Sequence, residues 1–266
     1  MLNPGWLELH AANACNLTCE SCAHFSNSGH AGILSMKDAA HWMIPWSVRL
    51  QPSMFRILGG EPTINPNLTE LLYLSRNVWP KTPIALVTNG WFLHRHPELP
   101  KALKATGAMV SLTVHGDTEA YRAKLREILD LLVSWQVEFH LDHGANWWTR
   151  RHLGFGAEVT PYADGDPARS WRNCVCRTCR QLFRGKLWKC SPVAYLQLQK
   201  EAHPSISAAW DRYLGYNALE PSCTDAELAA FLGRREEAVC AMCPAEPEAF
   251  AKPDPLIARL ELRKSQ

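Results

Sequence analysis

Cys15, Cys19 and Cys22 stand in the run Cys-Asn-Leu-Thr-Cys-Glu-Ser-Cys, directly after an apolar segment that reads as a strand. Thiolate is the usual protein ligand of iron–sulfur clusters, so a loop this tight can hold three corners of a [4Fe–4S] cube. The fourth iron then has no cysteine and is open to a small-molecule ligand. The other reading is zinc completed by His24, because three cysteines and a histidine make a common structural site. Against zinc, the ligand pairs of zinc fingers are usually split by a longer insert.

The elements that must position this loop follow from the pattern of apolar residues. Leu7 to His10, Phe55 to Leu58, Ile84 to Thr88, Met109 to Val114 and Val137 to Leu141 read as strands. Lys37 to Trp46, Asn67 to Val78, Pro97 to Thr106 and Thr118 to Trp135 read as helices between them. Such alternation argues for a parallel sheet, whose reactive groups gather on loops beyond the C-terminal strand ends. The cysteine loop, Glu61 and Asn89 all fall there.

Two further motifs follow in order: Gly59-Gly60-Glu61-Pro62 after the second strand and Thr88-Asn89-Gly90 after the third. Each alone is an ordinary strand-end turn. With the Cys-x3-Cys-x2-Cys loop ahead of them, the set resembles the radical S-adenosylmethionine (radical SAM) superfamily over about residues 5 to 145. The resemblance implies an open, partial (β/α)6 barrel and a [4Fe–4S] cluster with an open iron that chelates S-adenosylmethionine. It also implies that Gly59, Gly60 and Glu61 meet the methionine amino group, with Asn89 near the ribose and adenine. Family members usually carry an aromatic residue just before the third cysteine. Here that position is Ser21, which leaves Phe25 as the candidate to pack against adenine.

In Ser111-Leu112-Thr113-Val114-His115-Gly116, alternation puts Ser111, Thr113 and His115 on one face of the fourth strand. Relatives carry a Ser-Leu-Asp-Gly-like sequence in the matching place, which makes Ser111 and Thr113 candidate cosubstrate contacts. Thr113 also suits a strand simply as a β-branched residue. Beyond the fifth strand, His140, Asp142 and His143 bring ionisable side chains near the barrel mouth. With His115 they are the candidates for moving protons on a substrate, because imidazole titrates near neutrality.

The last third holds a second cysteine group. Cys174, Cys176 and Cys179 precede a hairpin turning at Arg184-Gly185 and ending at Cys190; Cys240-Ala241-Met242-Cys243 follows a helix announced by the capping pattern Thr224-Asp225-Ala226-Glu227. The order resembles the twitch module, a shortened relative of SPASM, and implies an auxiliary iron–sulfur cluster. The preferred ligands are Cys190, Cys240 and Cys243 with either Cys174 or Cys179, and Cys176 is a spare or a ligand to an open iron. A zinc ribbon is the alternative. Cys223 reads as structural. The expected organisation is a barrel over 1–160 and a small cysteine-rich α+β module over 161–266.

With 266 residues the chain can bury a sizeable core, and its net charge of +2 provides no strong field for nucleic acid. No membrane-length apolar run and no signal peptide are visible, so ten cysteines point to metal ligands kept reduced in the cytoplasm. The resemblance implies reductive cleavage of S-adenosylmethionine to a 5′-deoxyadenosyl radical, with flavodoxin or ferredoxin as reducing partner. The expected substrate is a sugar, cyclitol or related small metabolite, oxidised or otherwise remodelled. The alternatives are a peptide maturase, for which no leader-binding domain is expected ahead of Cys15, and a non-enzymatic zinc protein.

Overall fold

The computed structural model describes residues 1–142, 149–162 and 165–250. Its first part alternates β1 (Trp6–Ala12), α1 (Met36–Ser47), β2 (Met54–Gly59), α2 (Leu68–Val78), β3 (Ile84–Thr88), α3 (Leu99–Thr106), β4 (Met109–Thr113), α4 (Glu119–Trp135) and β5 (Phe139–Asp142). Every end lies within two residues of the sequence-based expectation. The helix starts are set by short polar side chains. Ser35 accepts the Asp38 N–H at 3.0 Å and Thr118 the Tyr121 N–H at 3.2 Å, each satisfying an otherwise unpaired donor. Gln136, left-handed at φ 54°, ends α4 and turns the chain into β5.

The strands form one sheet in the order β5-β4-β3-β2-β1-β6-β7, where β6 is Cys179–Phe183 and β7 is Lys186–Trp188. All neighbours are parallel except β6 and β7. This is an α/β fold with a mostly parallel sheet, consistent with a partial barrel. The hairpin forms at the expected turn, where Arg184 and Gly185 take φ 54° and 76°, as a two-residue hairpin turn of this hand requires. Within the sheet β6 pairs with β1, Glu8 opposite Gln181, and so covers an edge that would otherwise present unpaired N–H and C=O groups.

Among the described residues four more α-helices follow: α5 (Pro167–Arg172), α6 (Ser191–Ala202), α7 (Asp211–Leu214) and α8 (Asp225–Gly233). The anticipated capping box opens α8, with Thr224 and Glu227 bonded reciprocally. Leu7, Leu9, Phe55, Ile57 and Leu182 project from one face of the sheet into the core under α1–α4. A second apolar cluster, built on Phe25, Phe183, Tyr195 and Trp210, packs the C-terminal segments. No helix among the described residues is long and apolar enough to cross a membrane.

Candidate functional site

The cysteine loop leaves the C-terminal end of β1 with Cys15, Cys19 and Cys22 half-buried. Its backbone is held from several sides: the Asn27 amide donates to the Cys19 carbonyl at 2.8 Å, and the Phe25 N–H to the Cys22 carbonyl at 2.9 Å. Burial pushes the Cys22 thiol up, while the N–H groups of His24, Phe25, Ser26 and Asn27 pull it back toward thiolate. Such a ring of amides is a ready cradle for a ligating sulfur. Cys19 Sγ lies 3.3 Å from His115 Nδ1, which brings the expected proton-transfer candidate onto the first cysteine loop itself.

The Gly-Gly-Glu motif has a packing role visible in the geometry. A Cβ at Gly59 would sit 2.3 Å from the Ala12 carbonyl oxygen, and one at Gly60 2.2 Å from that of Ala14, so only glycine lets β2 run this close to the cysteine loop. Glu61 is 1 % exposed and fully occupied by protein donors. It accepts from the Thr63 hydroxyl and Thr88 hydroxyl, both at 2.5 Å, and from the N–H groups of Thr63 (3.1 Å) and Asn89 (2.9 Å). Burial raises the Glu61 carboxyl above its usual range, against the pull of these bonds. The carboxylate thus ties the end of β2 to the end of β3. Asn89 extends the tie, its amide donating to Asn16 of the cysteine loop at 2.8 Å. Gly60→Ala is expected to cost about 1–3 kcal/mol by overpacking against backbone, read as a lower urea midpoint; an unchanged midpoint would contradict this role.

Of the remaining expected residues, Ser111 is buried with its hydroxyl 2.9 Å from His140 Nε2, while Thr113 and Asp142 end adjacent strands in register. His143 lies outside the described residues. Phe25 does not offer an open platform for adenine. It is 1 % exposed, stacked on His152 at 5.0 Å between ring centres and edge-on to Trp210.

A polar set that the sequence reading missed lies on the sheet face opposite α1–α4. Arg56 pairs with Glu8 at 2.6 Å, Gln181 donates to the other Glu8 oxygen at 2.6 Å, and the Tyr195 hydroxyl donates to Gln181 at 3.1 Å. Beside this chain of bonds His10 is stacked on Tyr195 with ring centres 3.6 Å apart, and His24 meets its edge at 4.8 Å. His24 therefore faces this set as well as belonging to the cysteine loop. Burial holds both imidazoles neutral, with His24 lowered to about 4. Among the described residues neither ring nitrogen of His10 has a hydrogen bond of ordinary geometry, with the Asn13 side chain as its polar neighbour, although the residue is 3 % exposed. The available signal was the alternation Leu7-Glu8-Leu9-His10, which puts two ionisable groups on one side of a central strand.

The second cysteine group is tied locally at Cys174 and Cys176 and meets the start of α6. The Cys176 N–H donates to Cys174 Sγ at 3.3 Å, and Ser191 Oγ lies 3.9 Å from Cys176 Sγ. A bond to Cys176 and then burial push the Cys174 thiol up, with Cys243 and Cys190 adding to the shift. Burial and the neighbouring thiols raise Cys190 and bring Cys243 to about 12. Cys240 responds to burial, and it in turn raises both of these. Cys179, on β6, neighbours Glu8 and Cys176 instead. Cys174, Cys176, Cys190, Cys240 and Cys243 thus influence one another's ionisation. Among the described residues no three His, Cys, Asp or Glu side chains converge on one point as ligands of a single ion. Several buried thiols that mutually disfavour ionisation suit a multi-iron group, which takes thiolates at separate corners and supplies the positive charge they need. Cys223 lies apart, with Arg49 donating to its sulfur at 3.2 Å.

A sheet with a three-cysteine loop beyond its first strand and a tied Gly-Gly-Glu end is what a radical SAM domain provides, and the family model for the Radical SAM superfamily matches residues 10–130. This stretch carries a radical SAM domain. Among curated relatives, a GTP 3′,8-cyclase of Campylobacter fetus subsp. fetus (strain 82-40) is 22 % identical over 161 residues, 59 % of this chain and 46 % of the relative. The chain thus spans about half the length of that relative. Among solved structures, BtrN in complex with AdoMet and 2-DOIA covers 90 % of this chain and 92 % of its own at TM-score 0.54 and 19 % identity. Native anSMEcpe with bound AdoMet aligns over 51 % of this chain and 43 % of its own at TM-score 0.42 and 23 % identity.

Proposed function

We propose that the protein is a cytoplasmic radical SAM enzyme that oxidises or remodels a small hydroxylated metabolite such as a sugar or cyclitol, with an auxiliary iron–sulfur cluster in residues 161–266. When bound, the first cluster and S-adenosylmethionine would supply a 5′-deoxyadenosyl radical, with flavodoxin or ferredoxin as electron source. Cys15, Cys19 and Cys22 would hold that cluster, and Gly59, Gly60, Glu61 and Asn89 shape the strand ends against which the cosubstrate lies. Cys190, Cys240 and Cys243, with Cys174 or Cys179 as the fourth ligand, would hold the auxiliary cluster, and Cys176 would be a spare or a ligand to an open iron.

The observation that carries the substrate class is the polar face formed by Glu8, His10, His24, Arg56 and Tyr195. A neutral imidazole offers one donor and one acceptor, the pairing a hydroxyl group satisfies. Among the described residues neither His10 nitrogen has a hydrogen bond of ordinary geometry, and the Asn13 side chain is the polar group beside the ring. An unmet buried pair of this kind costs free energy until a ligand fills it. The shared fold with BtrN over most of both chains supports the architecture on which this reading stands.

The test is 5′-deoxyadenosine formation by anaerobically reconstituted, reduced protein with pooled nucleotide sugars and aminocyclitols, with pooled peptides, and with neither. A rise in the first pool is expected. A rise with peptides alone would replace the substrate class, and colourless protein that binds zinc in place of iron would refute the enzyme reading.

A further inference from the structure

His115 stands just beyond the end of β4, and the backbone there is fixed from both sides. The Val114 N–H donates to the Asp142 carbonyl at 2.8 Å, which carries the pairing with β5 past Thr113, and the His115 N–H donates to the Tyr121 hydroxyl at 2.8 Å. Tyr121 is 2 % exposed, and its own N–H is accepted by the Thr118 hydroxyl at 3.2 Å. Its ring lies against Gly116, where a Cβ would come within 3.0 Å of ring carbons. The first turn of α4 therefore holds the end of β4, and with it the point from which the His115 side chain leaves the chain.

From there the imidazole reaches the first cysteine loop, with Nδ1 3.3 Å from Cys19 Sγ and both groups partly buried. The two residues are 96 positions apart, so the contact belongs to the fold and not to a local turn. Cys19 is held independently, its carbonyl accepting the Asn27 amide at 2.8 Å. Two atoms this close are either hydrogen-bonded or joint ligands of one ion. The second case needs further ligands at the same point, and among the described residues no three His, Cys, Asp or Glu side chains gather as ligands of a single ion. A cysteine that ligates iron is a thiolate, which accepts hydrogen bonds and has no proton to give. The nitrogen facing it then carries the N–H, and a neutral imidazole has the one donor that this requires.

We propose that His115 is a positioning residue of the first cluster, its Nδ1–H donating to the Cys19 thiolate and so raising the potential at which the cluster takes up an electron. This rests on the cluster that Cys15, Cys19 and Cys22 would hold. An added electron puts more negative charge on the ligating sulfurs, and a donor aimed at one of them stabilises the reduced form more than the oxidised form. The bond is an outer-sphere contact of the kind that both orients a ligand and tunes the metal it binds. Here α4 sets it in place before any electron arrives.

The experiment is an EPR-monitored redox titration of reconstituted wild type, His115→Leu and His115→Asn, with iron counted per chain. The first cluster's signal is the one that changes when S-adenosylmethionine is added. In His115→Leu its reduced-to-oxidised ratio at a fixed potential should fall about 10-fold, a shift of ~59 mV for one electron. His115→Asn, whose amide can donate from nearly the same place, should stay near wild type, a rescue that mere packing would not give. A fully loaded His115→Leu with an unshifted first potential would overturn the proposal and leave the radical SAM reading standing. Wild type with no signal that responds to S-adenosylmethionine, or with zinc in place of iron, would overturn both. If His115→Leu does not load, wild type labelled with heavy-nitrogen histidine decides. Its reduced first cluster should show a histidine nitrogen coupling in pulsed EPR that His115→Asn loses; absence of that coupling from wild type, or its persistence in His115→Asn, overturns the proposal.

Discussion

Cys19→Ser is expected to abolish the proposed 5′-deoxyadenosine formation in the reduced, reconstituted protein, with a loss of at least ~100-fold. Removing an outer-sphere partner of a metal ligand already costs roughly 10- to 100-fold, so removing a ligand costs more. The backbone at this position is held independently of the sulfur, through the Asn27 bond to the Cys19 carbonyl. The loop therefore keeps its course, and the loss reports on ligation and not on misfolding. Iron content should fall in parallel, and circular dichroism should not change. Full retention of product by Cys19→Ser would remove the central argument of the proposed function.

Arg56→Met is expected to destabilise the metal-free protein by ~3–5 kcal/mol, the cost of leaving one member of a buried ion pair alone. The Glu8 side chain is 4 % exposed and that of Arg56 15 %, so water cannot take over the role of the lost partner. Arg56 also lies over the Trp6 ring, 4.6 Å from its centre, and methionine gives up that contact. The discriminating comparison is the double variant Arg56→Met/Glu8→Gln, which removes the stranded charge and keeps the bond to Gln181. It should recover most of the loss in urea unfolding. A single-variant effect of ~1 kcal/mol or less, typical of exposed pairs, would show that this face is open to water.

Local features were legible in the chain itself. A strand or a helix declares itself by a repeat of about two or 3.6 residues, and caps and hairpin turns depend on three or four adjacent residues. Hence β1–β5, the hairpin at Arg184-Gly185 and the box at Thr224 and Glu227 all form where the pattern indicates. The three thiols of the first loop belong to the same category, because eight consecutive residues cannot carry them far apart. Phe25 shows the limit of such reasoning. Its position beside the loop suggested a platform for adenine, yet it is buried against His152 and Trp210, residues more than a hundred positions away.

The tertiary structure decided the relations between distant segments. Spacing left Cys174 and Cys179 as equals and Cys176 as a spare or a ligand to an open iron; the fold places Cys179 at the start of β6 opposite Trp6, and Cys176 against Cys174 and Ser191. It also paired β6 with β1, and so assembled Glu8, Arg56 and Gln181 from three strands into one buried chain of bonds. None of these has a local signature. The identity of a strand's neighbour is settled by the burial gained against the entropy of closing the intervening loop, and residues 8 and 181 become partners only when the whole sheet has formed.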